Sequence, residues 1–273
     1  MNMATHEQQW STATPGLLVI LLDQSGSMAD PYLENESKAV FATKAVNRMI
    51  NTIIDKNFDG SAPKNRCFIS VIGYESSVRE IRSDSIVALA ASPLRIDSVK
   101  RKVSDGAGGL VEQDFKLPVW IEPFAQGATD MASAFRAVIQ LAAKWISDKP
   151  LNPAPVVINI SDGMPTTDMN DTVSSAMELM GLNCPDGNVL LFNAHINRNG
   201  ANVVFPDSAE RLSGAHARFL FEISSVIPDS YKPAAHKNDL RLVEGARGCM
   251  FDTDAEGLVK LIDFGSSKGQ GNR

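Results

Sequence analysis

Two patterns of apolar residues alternate along the chain: uninterrupted runs, and stretches where apolar positions recur every three to four residues. The first run, Leu17 to Leu22, reads LLVILL and breaks directly into Asp23-Gln24-Ser25-Gly26-Ser27-Met28. A segment apolar at every position predicts a strand covered on both faces, as in a parallel sheet. Beyond a polar loop around Asp30-Pro31, Ser37 predicts a helix cap. Val40, Phe41, Val46, Met49, Ile50, Ile53 and Ile54 then predict a helix through about Asp55. Cys67 to Tyr74, CFISVIGY, predicts a second buried strand, with Val78 to Ile81 as a short edge strand beside it. Met131, Phe135, Val138, Ile139, Ala142, Trp145 and Ile146 trace a helical stripe over Asp130 to Ser147. Pro155 to Ile160 predicts a strand running into Ser161-Asp162-Gly163. Asp171 to Met180 follows as a helix and Asn188 to His195 as a strand. Ser208 to Ser225 reads as a helix in two pieces, broken around Ser213-Gly214. Cys249-Met250-Phe251 centres a last short strand, and Asp254 to Phe264 a final amphipathic helix.

Strands alternating with helices predict an α/β fold: a single doubly wound, mostly parallel sheet flanked by helices, with one short antiparallel edge strand. The domain spans 16–265. Residues 1–15 read as a flexible leader ending at Pro15-Gly16, and 266–273 as a flexible Gly/Ser tail. The pattern lapses over about 83–126. Ser85 to Ala91 has no clean period, Gly106-Ala107-Gly108-Gly109 is a turn, and Phe115 to Phe124 holds two prolines. This reads as an irregular insertion with a β-hairpin closed by the glycines. Such long connections inside a compact domain are functional or mobile.

Composition narrows the class. The chain has 273 residues, 44% hydrophobic and 21% charged, enough for a substantial core. A net charge of −6, with Lys100-Arg101-Lys102 as the longest basic run, argues against direct nucleic-acid binding. LLVILL is too short to span a bilayer, and no basic region followed by a long apolar stretch marks a secretory signal. No membrane role is expected. Cys67, Cys184 and Cys249 lie far apart with no CxxC spacing, as expected of free thiols in a reducing compartment. A cytoplasmic location follows as the expectation.

Three strand-to-loop transitions carry oxygen-bearing side chains: Asp23-Gln24-Ser25-Gly26-Ser27, Gly127-Ala128-Thr129-Asp130 and Ser161-Asp162-Gly163. Asp23, Ser25 and Ser27 alternate, so an extended or gently turning backbone aims all three at one point, and Gly26 permits the turn. In open α/β sheets ligands bind at the carboxyl ends of strands. With oxygen ligands only and no paired His or Cys, the set selects a hard cation: Mg²⁺, or Mn²⁺ or Ca²⁺.

DQSGSM, then GATDM, then ISDGMPTTD together resemble the metal-ion-dependent adhesion site of the von Willebrand factor A (vWA) domain, whose pattern is Asp-x-Ser-x-Ser, then Thr, then Asp. The resemblance covers 16–265. Among vWA proteins the chain is most similar to the small bacterial intracellular type related to the tellurium-resistance protein TerY. It implies a metal site at Asp23, Ser25, Ser27, Thr129 and Asp162, all five present. Ala128 departs from a frequent glycine, and the 83–126 insertion bears on the rim. The implied function is a non-catalytic protein-interaction module that binds a partner's Asp or Glu through the cation. The setting would be a bacterial stress-response, defence or signalling assembly, with a AAA+ ATPase, a kinase or phosphatase, or a larger complex as partner.

Competing readings have specific failings. The glycines at 106–109 lack both the GxxxxGK[ST] phosphate loop and the strand-GxGxxG-helix context. Ser25 lacks the G-x-S-x-G frame of a nucleophile, and no motif ties a His to it. A metal-dependent phosphohydrolase with Asp23 as nucleophile needs a second acid, where Ser25 stands, and a lysine held at the site. His195 can reach the same sheet end, although a lone His there is more often structural or solvent-facing. His216 and His236 read as surface positions, and Asp168 and Asp171 as rim or capping residues. Trp10 and Trp145 read as packing residues, and Trp120 as packing or an exposed anchor.

Overall fold

The computed structural model describes residues 6–33, 35–104, 109–197, 203–212, 214–252 and 255–269. Its centre is a seven-stranded sheet built from β1 (Gly16–Asp23), β2 (Cys67–Tyr74), β3 (Val78–Ser85), β6 (Val156–Ser161), β7 (Leu190–His195), β8 (Val203–Val204) and β9 (Cys249–Phe251). A separate two-stranded ribbon pairs β4 (Arg95–Ser104) with β5 (Leu110–Val119). Helices α1 (Lys38–Lys56), α2 (Ile86–Ala91), α3 (Met131–Asp148), α4 (Met169–Gly181), α5 (Ala215–Glu222), α6 (Lys232–Lys237) and α7 (Ala255–Gly265) complete the fold.

The sheet order is β8-β9-β7-β6-β1-β2-β3. β1 pairs in parallel with both β2 and β6, and β7 with both β6 and β9. β3 and β8 close the two edges antiparallel. The expected α/β sheet is therefore present, with a second antiparallel edge that its two short residues, Val203 and Val204, do not announce in the sequence. The chain winds outward from β1 through β2 to β3, then returns past β1 to β6 and winds the other way. The reversal falls between the carboxyl ends of β1 and β6, the place where such sheets bind ligands.

All eight residues of β1 are buried. Leu18, Ile20 and Leu22 face α1 and α7 on one side, through Val46, Ile50, Ile53, Leu258, Leu261 and Phe264. Leu17, Val19 and Leu21 face α3, α4 and α5 on the other, through Phe135, Val138, Ala176, Leu179 and Leu220. A strand covered on both faces cannot alternate apolar with polar, which is why LLVILL is unbroken.

The 83–126 region is more regular than its sequence pattern. β3 extends to Ser85, whose side chain then caps α2 by accepting from the Ala88 N–H at 3.3 Å. The hairpin is present as the ten-residue strands β4 and β5; the expected turn at Gly106 to Gly108 lies outside the described residues. Trp120 is buried, its indole N–H donating to the Leu89 carbonyl at 2.7 Å, so it is no exposed anchor. Of the segment expected as a leader, residues 6–15 lie against the domain. Trp10 is buried and its N–H donates to the Lys268 carbonyl at 2.9 Å. Cys67 and Cys249 are buried and Cys184 is partly buried; all three are free thiols.

Candidate metal centre

The register of β1 and β6 fixes the first contact of the site. Leu22 lies opposite Ile160, so Asp23 and Ser161, one residue further along each strand, are neighbours. The Ser161 hydroxyl donates to Asp23 Oδ2 at 2.8 Å. The Ser25 N–H donates to Asp23 Oδ1 at 2.8 Å, curling the chain back over the strand end. The two serine hydroxyls, Ser25 and Ser27, are 3.2 Å apart, and the Ser27 hydroxyl donates to Asp162 Oδ1 at 2.8 Å. Four of the five residues expected from the sequence thus form one hydrogen-bonded chain, from Asp23 through Ser25 and Ser27 to Asp162.

Thr129 joins through its backbone. Its N–H donates to the Thr166 hydroxyl at 2.9 Å, and its carbonyl accepts from the Thr166 N–H at 3.1 Å. The loop before it is pinned to the β1 loop by Gly26 N–H to the Gly127 carbonyl, 3.0 Å, and Gln126 N–H to the Gln24 carbonyl, 2.7 Å. Gly127 has φ +75°, a left-handed conformation that glycine tolerates without strain. Thr129 is buried beside this junction. Among the described residues no hydrogen bond links its hydroxyl to the other four.

Electrostatics distinguishes the two carboxylates. Burial pushes the Asp23 carboxyl up to about 6, against the hydrogen bonds from Ser25 and Ser161 that favour its charge. Asp162, whose side chain is 1% exposed, has a cation in contact: Lys38 Nζ donates to Asp162 Oδ2 at 2.7 Å and lies 3.4 Å from Asp30 Oδ2. Burial disfavours the Lys38 ammonium, but the Asp162 carboxylate outweighs it and the lysine pKa is raised. Sequence reasoning missed Lys38. Its signal is its place at the first position of α1, where the helix dipole disfavours a cation.

The wall beside Asp162 holds two histidines. His195 ends β7 and is buried, and the His216 ring from α5 packs perpendicular to it, with centroids 4.4 Å apart. His216 is therefore partly buried rather than a surface position, because α5 closes over the end of β7. His236 is exposed as expected. Burial pushes both the His195 and the His216 imidazole down to about 4, so both are neutral near pH 7. Asp168 caps α4 by accepting from the Asn170 N–H at 2.8 Å, and Asp171 pairs with Arg136 at 2.8 Å, as a capping and rim pair would.

The donor set fits a hard divalent cation: two carboxylates and three hydroxyl side chains at one sheet end. Among the described residues no group of three or more His, Cys, Asp or Glu side chains is placed to hold a metal. A cation here would need the serine and threonine hydroxyls as well as the carboxylates.

The fold and this site define an α/β, Rossmann-like domain with a cluster of oxygen-bearing side chains at its switch point. No protein-family model and no curated protein matches the sequence. Solved structures similar to it include the manganese-loaded TRAP protein of Plasmodium vivax, at 16% identity and a TM-score of 0.36 over 69% of this chain and 58% of that one. The ArnB paralog VWA2 from Sulfolobus acidocaldarius is 18% identical, with a TM-score of 0.37 over 67% of this chain and 35% of that one. Proximal thread matrix protein 1 of the mussel byssus, crystallised with a zinc-occupied MIDAS motif, is 12% identical, with a TM-score of 0.45 over 92% and 48%. The chain thus spans less than two thirds of the length of each. No described helix is long and apolar enough to cross a membrane.

Proposed function

We propose that this chain is a vWA-type interaction module whose site at Asp23, Ser25, Ser27, Thr129 and Asp162 holds a divalent cation, most simply Mg²⁺, and binds an acidic side chain of a protein partner. The observation that carries the reading is the hydrogen-bonded chain from Asp23 through Ser25 and Ser27 to Asp162 at the β1/β6 switch point. Ser25, Ser27 and Thr129 would offer neutral hydroxyl oxygens, leaving much of the cation's charge uncompensated. The bound ion would supply a positive charge able to accept a carboxylate oxygen from outside. The chain's own part is to hold Asp23, with both oxygens engaged by Ser25 and Ser161, as a fixed anion at the floor. A TerY-like, cytoplasmic bacterial setting, with a AAA+ ATPase, a kinase or phosphatase or a larger assembly as partner, completes the proposal. A pull-down in Mg²⁺ comparing wild type with Asp23→Ala tests it. Partner capture should vanish in the variant and in EDTA, and capture that persists in EDTA overturns the reading.

One observation favours a second reading, a metal-dependent phosphohydrolase: a lysine, Lys38, is indeed held at the site. Against it, Ser25 still occupies the place of the second acid, and both Asp23 oxygens already accept hydrogen bonds, which restrains the carboxylate as a nucleophile. Turnover of generic phosphate esters with Mg²⁺ that disappears in Asp23→Asn would favour the enzyme over the interaction module.

A further inference from the structure

The position of Lys38 is unfavourable by every local rule, and its contacts say what compensates. It is the first residue of the 19-residue helix α1, where the unpaired N–H groups already make the terminus positive. Its side chain is only 14% exposed, so its ammonium is largely withdrawn from water. Against those costs stands one contact of consequence, the 2.7 Å bond to Asp162 Oδ2, since Asp30 is 3.4 Å away and 62% exposed. Asp162 has a reciprocal need: a carboxylate with 1% exposure must be paired. Among the described residues its other oxygen takes only a neutral hydroxyl, from Ser27.

We propose that Lys38 sets the cation affinity of this site, its ammonium serving as an internal counter-ion of Asp162 with which a divalent ion must compete. This rests on the metal reading above. With Asp23 and Asp162 ionised and Lys38 protonated, the cluster carries one net negative charge. A divalent ion then makes it positive, and an acidic side chain from a partner restores neutrality. Without the Lys38 charge, the same ion would by itself neutralise two carboxylates. Lys38 therefore weakens binding of the ion alone and biases the loaded site toward anionic ligands. Asp30 is placed to receive the ammonium when it leaves Asp162, because Lys38 already spans both carboxylates.

The test is Mn²⁺ binding to the full chain, followed by electron paramagnetic resonance, for wild type, Lys38→Gln and Lys38→Arg. Glutamine keeps an N–H donor for Asp162 without the charge, and arginine keeps the charge. Thermal melts establish that each variant is folded. Lys38→Gln should bind Mn²⁺ about tenfold more tightly or better, because a like charge in contact with the site is removed, while Lys38→Arg stays close to wild type. Wild-type binding with equal or weaker binding by Lys38→Gln overturns the role of Lys38 and leaves the metal reading standing. So does Lys38→Arg binding as tightly as Lys38→Gln. Absence of Mn²⁺ binding in all three overturns the metal reading, and this proposal with it.

Discussion

At the scale of single residues, the opposing titrations around the site make a pH signature. His195 and His216 fall from 6.5 to about 4 on folding because they are buried, so the native state resists their protonation. The stability this confers is present above pH 6.5 and is lost as pH falls toward 4, since the unfolded chain takes up the protons first. Asp23 runs the other way. Its carboxyl is raised from 3.8 to about 6, so its contribution is full below pH 3.8 and is lost as pH rises through 6. Two histidines act against one carboxyl across the shared interval. In EDTA the melting temperature should therefore fall between pH 7 and pH 4.5, and a His195→Asn/His216→Asn double variant should show a flatter profile. An Asp23→Asn variant should show a steeper one. Scanning calorimetry across that range decides it: a double variant as acid-sensitive as wild type would discard the histidine argument. His195 was legible as a residue able to reach the site, whereas His216 read as a surface position. Their mutual packing was not legible, because it depends on how α5 crosses the end of β7.

At the scale of elements, legibility followed burial. β1, β2, β6 and β7 are covered on both faces, so their sequences are largely apolar runs, interrupted by buried polar side chains such as Asn159 and Asn193. α1 and α3 bury one long stripe each, and the Ser37 and Asp130 caps fix their starts by accepting from the Val40 and Ser133 N–H groups. The 83–126 region gave no such pattern because β3 is an edge strand, α2 has only six residues, and the ribbon β4–β5 is largely exposed. One side chain of α1 clamps the segment that leaves the ribbon, beside the Trp120 indole bond to Leu89. Asn47 Oδ1 accepts from the Trp120 and Ile121 N–H groups at 2.8 and 3.2 Å, and its amide donates to the Ile121 carbonyl at 3.0 Å. That clamp reproduces part of a strand pairing with one amide. Asn47→Ala should cost about 2–4 kcal/mol, the penalty for leaving buried backbone groups unpaired. It should also open the 92–125 segment to limited proteolysis. Urea unfolding that moves by less than about 0.5 kcal/mol, with unchanged cleavage, would show that Trp120 burial alone suffices.

At the scale of the whole molecule, a buried polar line connects the floor of the site to the far helix layer. The Tyr74 hydroxyl on β2 donates to Asn159 Oδ1 on β6 at 2.9 Å. The Asn159 amide donates to Asn193 Oδ1 on β7 at 2.9 Å, and the Asn193 amide to the Ser224 hydroxyl, just past α5, at 2.8 Å. Tyr74 is fully buried, its pKa raised by burial and by the Asp23 charge. No motif marks this line: Asn159 and Asn193 stand inside apolar runs and meet only because the β6–β7 register sets them side by side. Lys38 carries no motif either, while Asp23, Ser25, Ser27 and the Ser161-Asp162 step were legible through residue type and spacing. Each amide in the line has both a donor and an acceptor engaged, so removing one member strands two neighbours in a dry interior. Asn159→Ala should therefore cost more than its volume implies, about 3–5 kcal/mol. Tyr74→Phe should cost less in the Asn159→Ala background than in wild type, since the hydroxyl has then already lost its acceptor. A double-mutant cycle on urea unfolding should give a coupling of at least about 1 kcal/mol. Additive single effects would mean that the line is a set of independent bonds, and that the rigidity with which the sheet presents Asp23 comes from apolar packing alone.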